Sequence, residues 1–278
     1  MMIKFLITQF LLLLVVLFCT ACHPCCLKES YQSQYRHRNL CEETLRKEQP
    51  FAPSDYFLIL LVDAKHLDYS DAESLVSTIA KHPDGSRERD VGHAWMLLAG
   101  IQDGKKVLIE GGHSGELGIN EPRYLERVVL NSCERNPVRH LFYPLQDGYF
   151  EVGPGQHLPT YAIRVELNQK TFQQILELIQ PDHYHFRHYS LTDNQCTTFV
   201  AKVATLAGLQ LEHETIIPIP QYMKLARKKI CLWRDSQYAT ITISTPDKLE
   251  KSMIEAVVAG QARVALRHYY TVPRHHVN

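Results

Sequence analysis

The chain runs to 278 residues, with 30 Lys and Arg set against 30 Asp and Glu, a formal charge of +0 and 45% hydrophobic residues. The absence of a basic excess excludes a nucleic-acid footprint, and eight cysteines over this length are too sparse for a disulfide-stapled scaffold. Fifteen histidines stand out, several of them grouped at His183, His185 and His188 and at His268, His275 and His276.

Lys4 supplies a minimal positive start, and Phe5 to Cys19 is almost unbroken Leu, Val, Ile and Phe. That length suits the apolar core of a secretory leader and is short for a membrane span. Thr20-Ala21-Cys22 resembles a bacterial lipoprotein processing site, which implies a signal peptide over 1–21 and acylation of Cys22. The expectation is an exported protein, held to the membrane by an N-terminal lipid anchor on the periplasmic or outer-membrane face of a bacterial cell envelope. A plain signal peptide or an uncleaved anchor would also give export. In that oxidising compartment Cys41, Cys133 and Cys231 are candidates for disulfides, with connectivity that spacing does not fix.

Residues 22–53 are polar and charged without a sustained apolar period, and read as a tether or loosely packed arm. Tyr56 to Val62 is the first buried-strand signal, followed by a helix from Ser70 to His82 with Leu75, Val76 and Ile79 on one face. An apolar strand beginning at His93, a turn at Asp103-Gly104 and a strand from Lys106 to Glu110 make a hairpin, closed by a flexible loop at Gly111 to Gly115. Residues 120–157 offer only short strand-like pieces among many Gly and Pro. Tyr161 to Leu167 reads as a strand, Gln169 to Ile179 as a helix, Phe186 to Ser190 as a short extended piece, and Cys196 to Leu209 as a helix ended by Gly208. A further helix, a strand at Ala239 to Ser244 and a helix from Pro246 to about Ala259 complete the order. Strands, hairpins and helices in mixed succession predict an α+β fold over 54–215, with an α/β extension over 216–278.

Two motifs carry chemistry. Cys196, Phe199, Val200, Val203 and Ala207 fall at i, i+3, i+4, i+7 and i+11, one face of a helix, which puts the cysteine inward in the first turn behind Asp193 or Asn194 as N-cap. First-turn amides and the helix dipole favour a thiolate there by about a kcal/mol. Buried cysteines also simply pack. His93 opens a strand, Val91 to Leu98, that otherwise needs no polar residue, and Gly92 beside it leaves room for another group. A base beside a thiol makes a nucleophile, so the joint occurrence points to thiol chemistry. Imidazoles at His183, His185 and His188 could ligate zinc, but only Asp182 stands beside them as a carboxylate, and no metal or other cofactor is expected. Ser114 lacks the Gly-x-Ser-x-Gly setting of a nucleophile elbow.

Asn194-x-Cys196-x-x-Phe199-Val200 at a helix start, preceded in the chain by the Gly92-His93 strand, resembles the circularly permuted papain-like group. That group includes lecithin:retinol acyltransferase-like proteins and permuted NlpC-type cell-wall peptidases. The likeness spans roughly 55–210 in element order and about fifteen residues in motif. It implies a small antiparallel sheet packed on the helix that bears the nucleophile, with Cys196 as nucleophile and His93 as general base. A third polar group on the next strand would orient the imidazole: His113, by a narrow preference, or Glu110. The Cys196 amide, Gln195, Asn194 and Trp95 would surround the substrate and its oxyanion.

The resulting expectation is an exported hydrolase or acyltransferase acting on an amide or ester. A cell-wall peptide is the first substrate to expect and a lipid acyl group the second. The rival is a non-catalytic surface lipoprotein that keeps the fold for binding or envelope structure, with Cys196 buried or bonded to Cys133 or Cys231.

Overall fold

A computed structural model describes residues 48–80, 90–115, 120–225 and 228–273. The leader, Cys22 and Cys41 lie outside the described residues. The sheet forms around two strands apolar on both sides: β1 (Phe57–Asp63), in which Leu58 to Val62 are fully buried, and β2 (His93–Gln102), in which Ala94 to Leu98 are. Such runs can only be central strands. β3 (Lys105–Ser114) follows β2 through the turn at Asp103-Gly104, both at positive φ, the geometry of a tight hairpin. With β4 (Tyr149–Val152), β5 (Tyr161–Glu166) and the late strand β10 (Arg263–Val264), these make a six-stranded sheet, ordered β10-β5-β1-β2-β3-β4, in which every pairing is antiparallel. The predicted α+β class holds.

Alternation along the strands divides the core in two. Leu60, Val62, Ala94, Met96 and Leu98 point to one face. There they pack against Phe172 and Ile175 of α3 (Gln169–Leu178), Phe199, Val200 and Val203 of α4 (Cys196–Leu206), and Leu249 and Met253 of α5 (Pro246–Val258). Ile59, Leu61, Trp95 and Leu97 point to the other face. That face is covered by Leu266 and Tyr269 of α6 (Leu266–Thr271), with Phe51 and Phe57 at its margin. The segment expected as an extension thus supplies an edge strand and a helix on each face. Residues 48–51, the end of the expected arm, are held down: Glu48 accepts the backbone N–H groups of Arg267 and His268 at 2.8 and 2.7 Å, and Arg263 donates to the carbonyls of Gln49 and Pro50.

Three elements depart from the sequence reading. α1 (Ala72–Ala80) starts at Ala72 rather than Ser70, and the expected end at His82 lies outside the described residues. α2 (Asn120–Leu130) replaces the strand-like pieces, because Pro122 stands in the first turn, where its missing N–H costs nothing, and Tyr124 and Val128 bury one face. The helix expected between 209 and 239 is instead β6 (Glu214–Pro218), paired with β9 (Thr240–Ser244), and the hairpin of β7 (Tyr222–Leu225) with β8 (Lys228–Cys231). Thr215, Ile216 and Ile217 are β-branched, and Pro218 and Pro220 forbid a continuing helix.

Candidate active site

α4 begins at Cys196 with Gln195, not Asp193 or Asn194, as N-cap: the Gln195 N–H donates to Thr198 Oγ1 at 2.7 Å. The Gln195 side chain bridges out, its Nε2 donating to the carbonyls of Leu191 (3.0 Å) and Ser244 (2.9 Å). Both amide hydrogens are therefore spent, and the oxygen left facing the Cys196 Sγ, at 3.9 Å, is an acceptor rather than an oxyanion donor. The Ser244 contact ties the start of α4 to the start of α5. α5 in turn abuts Gly92, where a Cβ would lie 3.4 Å from Pro246 and 2.0 Å from the Asp63 carbonyl. With φ at +87° as well, only glycine fits. Cys196 is a thiol, as are Cys133 and Cys231, so the expected disulfides among these three do not form. It is 3% exposed, and its Sγ stands 3.6 Å from Thr197 Oγ1.

The two histidines part company across the sheet. His93 shares its face with Trp95, on which its ring stacks at 5.8 Å, and lies against His157 at 4.8 Å. That is the face away from α4. His157 Nδ1 meets Asp63 Oδ2 at 2.8 Å, and Asp63 pairs with Lys65 at 2.9 Å. Burial above all, then His157 and His113, hold the His93 imidazole down at about 3, so it is neutral. Its Nε2 is buried with no hydrogen-bond partner among the described residues. Glu110 belongs to the same face, where it accepts from Trp95 Nε1 (3.2 Å) and Tyr269 Oη (2.6 Å). Glu110 and Trp95 thus bind α6 to the hairpin, and both are remote from the thiol's face.

His113 is on the thiol's face. It lies inside β3 rather than in a loop, opposite Phe150 of β4, and Phe150 packs on Phe199 of α4. The ring is fully buried among Tyr184, Phe186 and Tyr189. Nε2 meets the Phe186 carbonyl at 2.7 Å, and Nδ1 meets Tyr184 Oη at 3.3 Å. Gly148 makes this socket possible: a Cβ there would sit 2.1 Å from the Phe186 carbonyl and 2.7 Å from His113 Nε2. Burial lowers the imidazole to about 4, opposed by the bond to Phe186 and aided by Lys202 and His188. Tyr184 packs on His113 and meets its Nδ1. Burial raises its phenol, a side-chain hydrogen bond with Thr198 opposes this, and negative charge at Cys196 or Asp193 acts with burial.

Asn194 faces the loop rather than a substrate: Nδ2 donates to the carbonyls of His185 (3.1 Å) and His188 (2.7 Å), while Oδ1 accepts from Tyr184 Oη at 2.7 Å. The histidine-rich stretch is therefore the frame of the His113 socket. Tyr184 was missed by the sequence reading, and its signal was a large aromatic between two histidines in that stretch. Among the described residues no group of three or more His, Cys, Asp or Glu is placed to hold a metal, and no helix is long and apolar enough to cross a membrane.

These features define a mixed α+β protein with a helix-start thiol over an antiparallel sheet. No family model, no curated protein and no solved structure matches the chain.

Proposed function

We propose that the chain is an exported thiol hydrolase or acyltransferase of permuted papain-like architecture, with Cys196 as nucleophile and His113 as its imidazole. The observation that carries this is the shared sheet face: the first-turn Cys196 of α4 lies on the side of the sheet on which His113 is buried neutral. A neutral imidazole is what a general base must be before it acts. The thiolate would attack the carbonyl carbon of an amide or ester. The imidazolium would protonate the leaving group, and water or another acceptor would resolve the acyl-enzyme. A cell-wall peptide stands first among substrates if the leader and Cys22 act as a lipoprotein signal, and a lipid acyl group second.

A second reading rests on a specific observation. Cys196 is 3% exposed, and both nitrogens of His113 are engaged by other groups, as suits a packed thiol in a non-catalytic envelope lipoprotein. Iodoacetamide labelling across pH, on the chain from residue 23 onward, separates the two. Cys196→Ser identifies the signal, and His113→Ala and His93→Ala name the base. The thiol reading expects alkylation of Cys196 below pH 7, slowed by His113→Ala and little changed by His93→Ala. Slowing by His93→Ala alone would return the base role to His93. Alkylation that waits for denaturant would leave the lipoprotein.

A further inference from the structure

At the margin of the second core, residues 48–51 are gripped by residues 263–268. Glu48 accepts the backbone N–H groups of Arg267 and His268, and Arg263 Nη2 donates to the carbonyls of Gln49 and Pro50 at 3.1 and 3.0 Å. The Phe51 ring centre lies 4.1 Å from the Arg263 guanidinium, 4.5 Å from that of Arg164 and 4.7 Å from the His268 imidazole. Arg164 is buried there and also covers Phe57 at 4.0 Å.

One contact in this cluster fixes a protonation state: Arg164 Nη1 meets His268 Nε2 at 2.7 Å. A guanidinium only donates and keeps its charge. Nε2 must therefore present its lone pair, and the neutral ring carries its hydrogen on Nδ1. An imidazolium would turn an N–H toward an N–H and set a second positive charge against the first. The contact forms only while His268 is neutral. Burial above all, then Arg164 and Arg263, hold the imidazole below its ordinary value, against Glu166. Glu166 pairs with Arg164 Nη2 at 2.9 Å and is half exposed, and Glu48 is occupied by the two backbone amides.

We propose that residues 48–51 and 263–268 form a clasp that opens when His268 takes up a proton. His268 is half-buried and receives that proton from solvent. The clasp rests on the sheet face away from Cys196 and does not depend on the reading of that thiol. If the leader anchors the chain, opening frees the part of the arm nearest the domain.

The test is amide hydrogen exchange between pH 7.5 and 5.5, corrected for the intrinsic pH dependence of the chemistry. It uses the chain from residue 23 onward, which keeps every element described above, in wild type, His268→Gln and Phe51→Ala, with urea midpoints to check folding. The window stays above the ordinary carboxylate range. The opening constant at the Arg267 amide is expected to rise about tenfold across it, the gain set by proton uptake at His268. In His268→Gln the side-chain oxygen still accepts from Arg164 and does not titrate, so the rise should vanish. By linkage, Phe51→Ala weakens the clasp and should raise the His268 midpoint read by NMR. Amides of β1 report the global effect of His93 and His113, which all three proteins share. No rise in wild type, a rise that survives in His268→Gln, or an Arg267 amide that exchanges no faster than those of β1 would each overturn the clasp. A His268 midpoint unmoved or lowered by Phe51→Ala would do the same.

Discussion

At the scale of single residues, the site depends on side chains that are absent as much as on those present. Gly148 lets the Phe186 carbonyl and His113 Nε2 come together, and an added Cβ would stand 2.1 Å from that oxygen and 2.7 Å from that nitrogen. Gly148→Ala is expected to break this hydrogen bond and destabilise the fold by ~1–3 kcal/mol, the cost of leaving buried polar groups unsatisfied. A urea midpoint together with the His113 ring nitrogen shifts would check it, and unchanged shifts would contradict the close approach. Cys196 could be recognised in the sequence because helical spacing marks an inward first-turn position from one segment alone. The roles of Gln195 and Asn194 could not, because their partners Ser244 and Tyr184 come from elsewhere in the chain. Tyr184 escaped notice for the same reason: a tyrosine hydroxyl acquires a function only from what surrounds it.

Elements show the same division more sharply. The strand from His93 was legible as a strand, but its parity was not. Parity is read from polar residues alternating with apolar ones, and Ala94 to Leu98 are all fully buried, so neither face is marked. A one-residue difference in phase decides whether His93 or Ala94 faces α4, and tertiary packing set Ala94 there. The Gly111-Gly112 pair read as a loop, yet the close packing of Phe150 and Trp95 over those glycines keeps β3 extended through His113. α4 is held down chiefly by Phe199, fully buried and in ring contact with Phe150, Tyr184 and Phe186. Phe199→Ala should cost ~3–5 kcal/mol by cavity formation and loosen the socket with it, seen as lower protection of α4 amides in hydrogen exchange. At the other end, Glu48→Gln should raise exchange at the Arg267 and His268 amides with a stability loss of no more than ~1 kcal/mol, since the contact is a partly exposed cap. Unaltered exchange there would mean that Glu48 does not hold the start of α6.

Across the whole molecule, the two buried neutral histidines couple stability to pH. Both have folded values below the ordinary 6.5, about 3 for His93 and about 4 for His113, so the unfolded chain binds protons that the folded chain refuses. Their contribution is complete above about pH 6.5 and is lost as pH falls from there toward 4, at up to ~1.4 kcal/mol per unit for each. Asp247, raised by burial, acts in the opposite sense. Urea midpoints measured between pH 7.5 and 5 should fall steadily. A flat profile would show that these imidazoles are not buried as neutral groups.

Local spacing by itself determined the central β1 and β2 runs, the hairpin, the α3, α4 and α5 helices, the α+β class and the inward first-turn position of Cys196. Those signals are periodicities and breakers within one segment, where backbone geometry alone decides. Only the tertiary structure decided which imidazole shares the thiol's face, that Glu110 and Trp95 serve the opposite core, and that residues 263–271 complete the sheet and cover it. Each of these depends on contacts between segments far apart in the chain, and a strand buried on both faces carries no local mark of which side meets which partner.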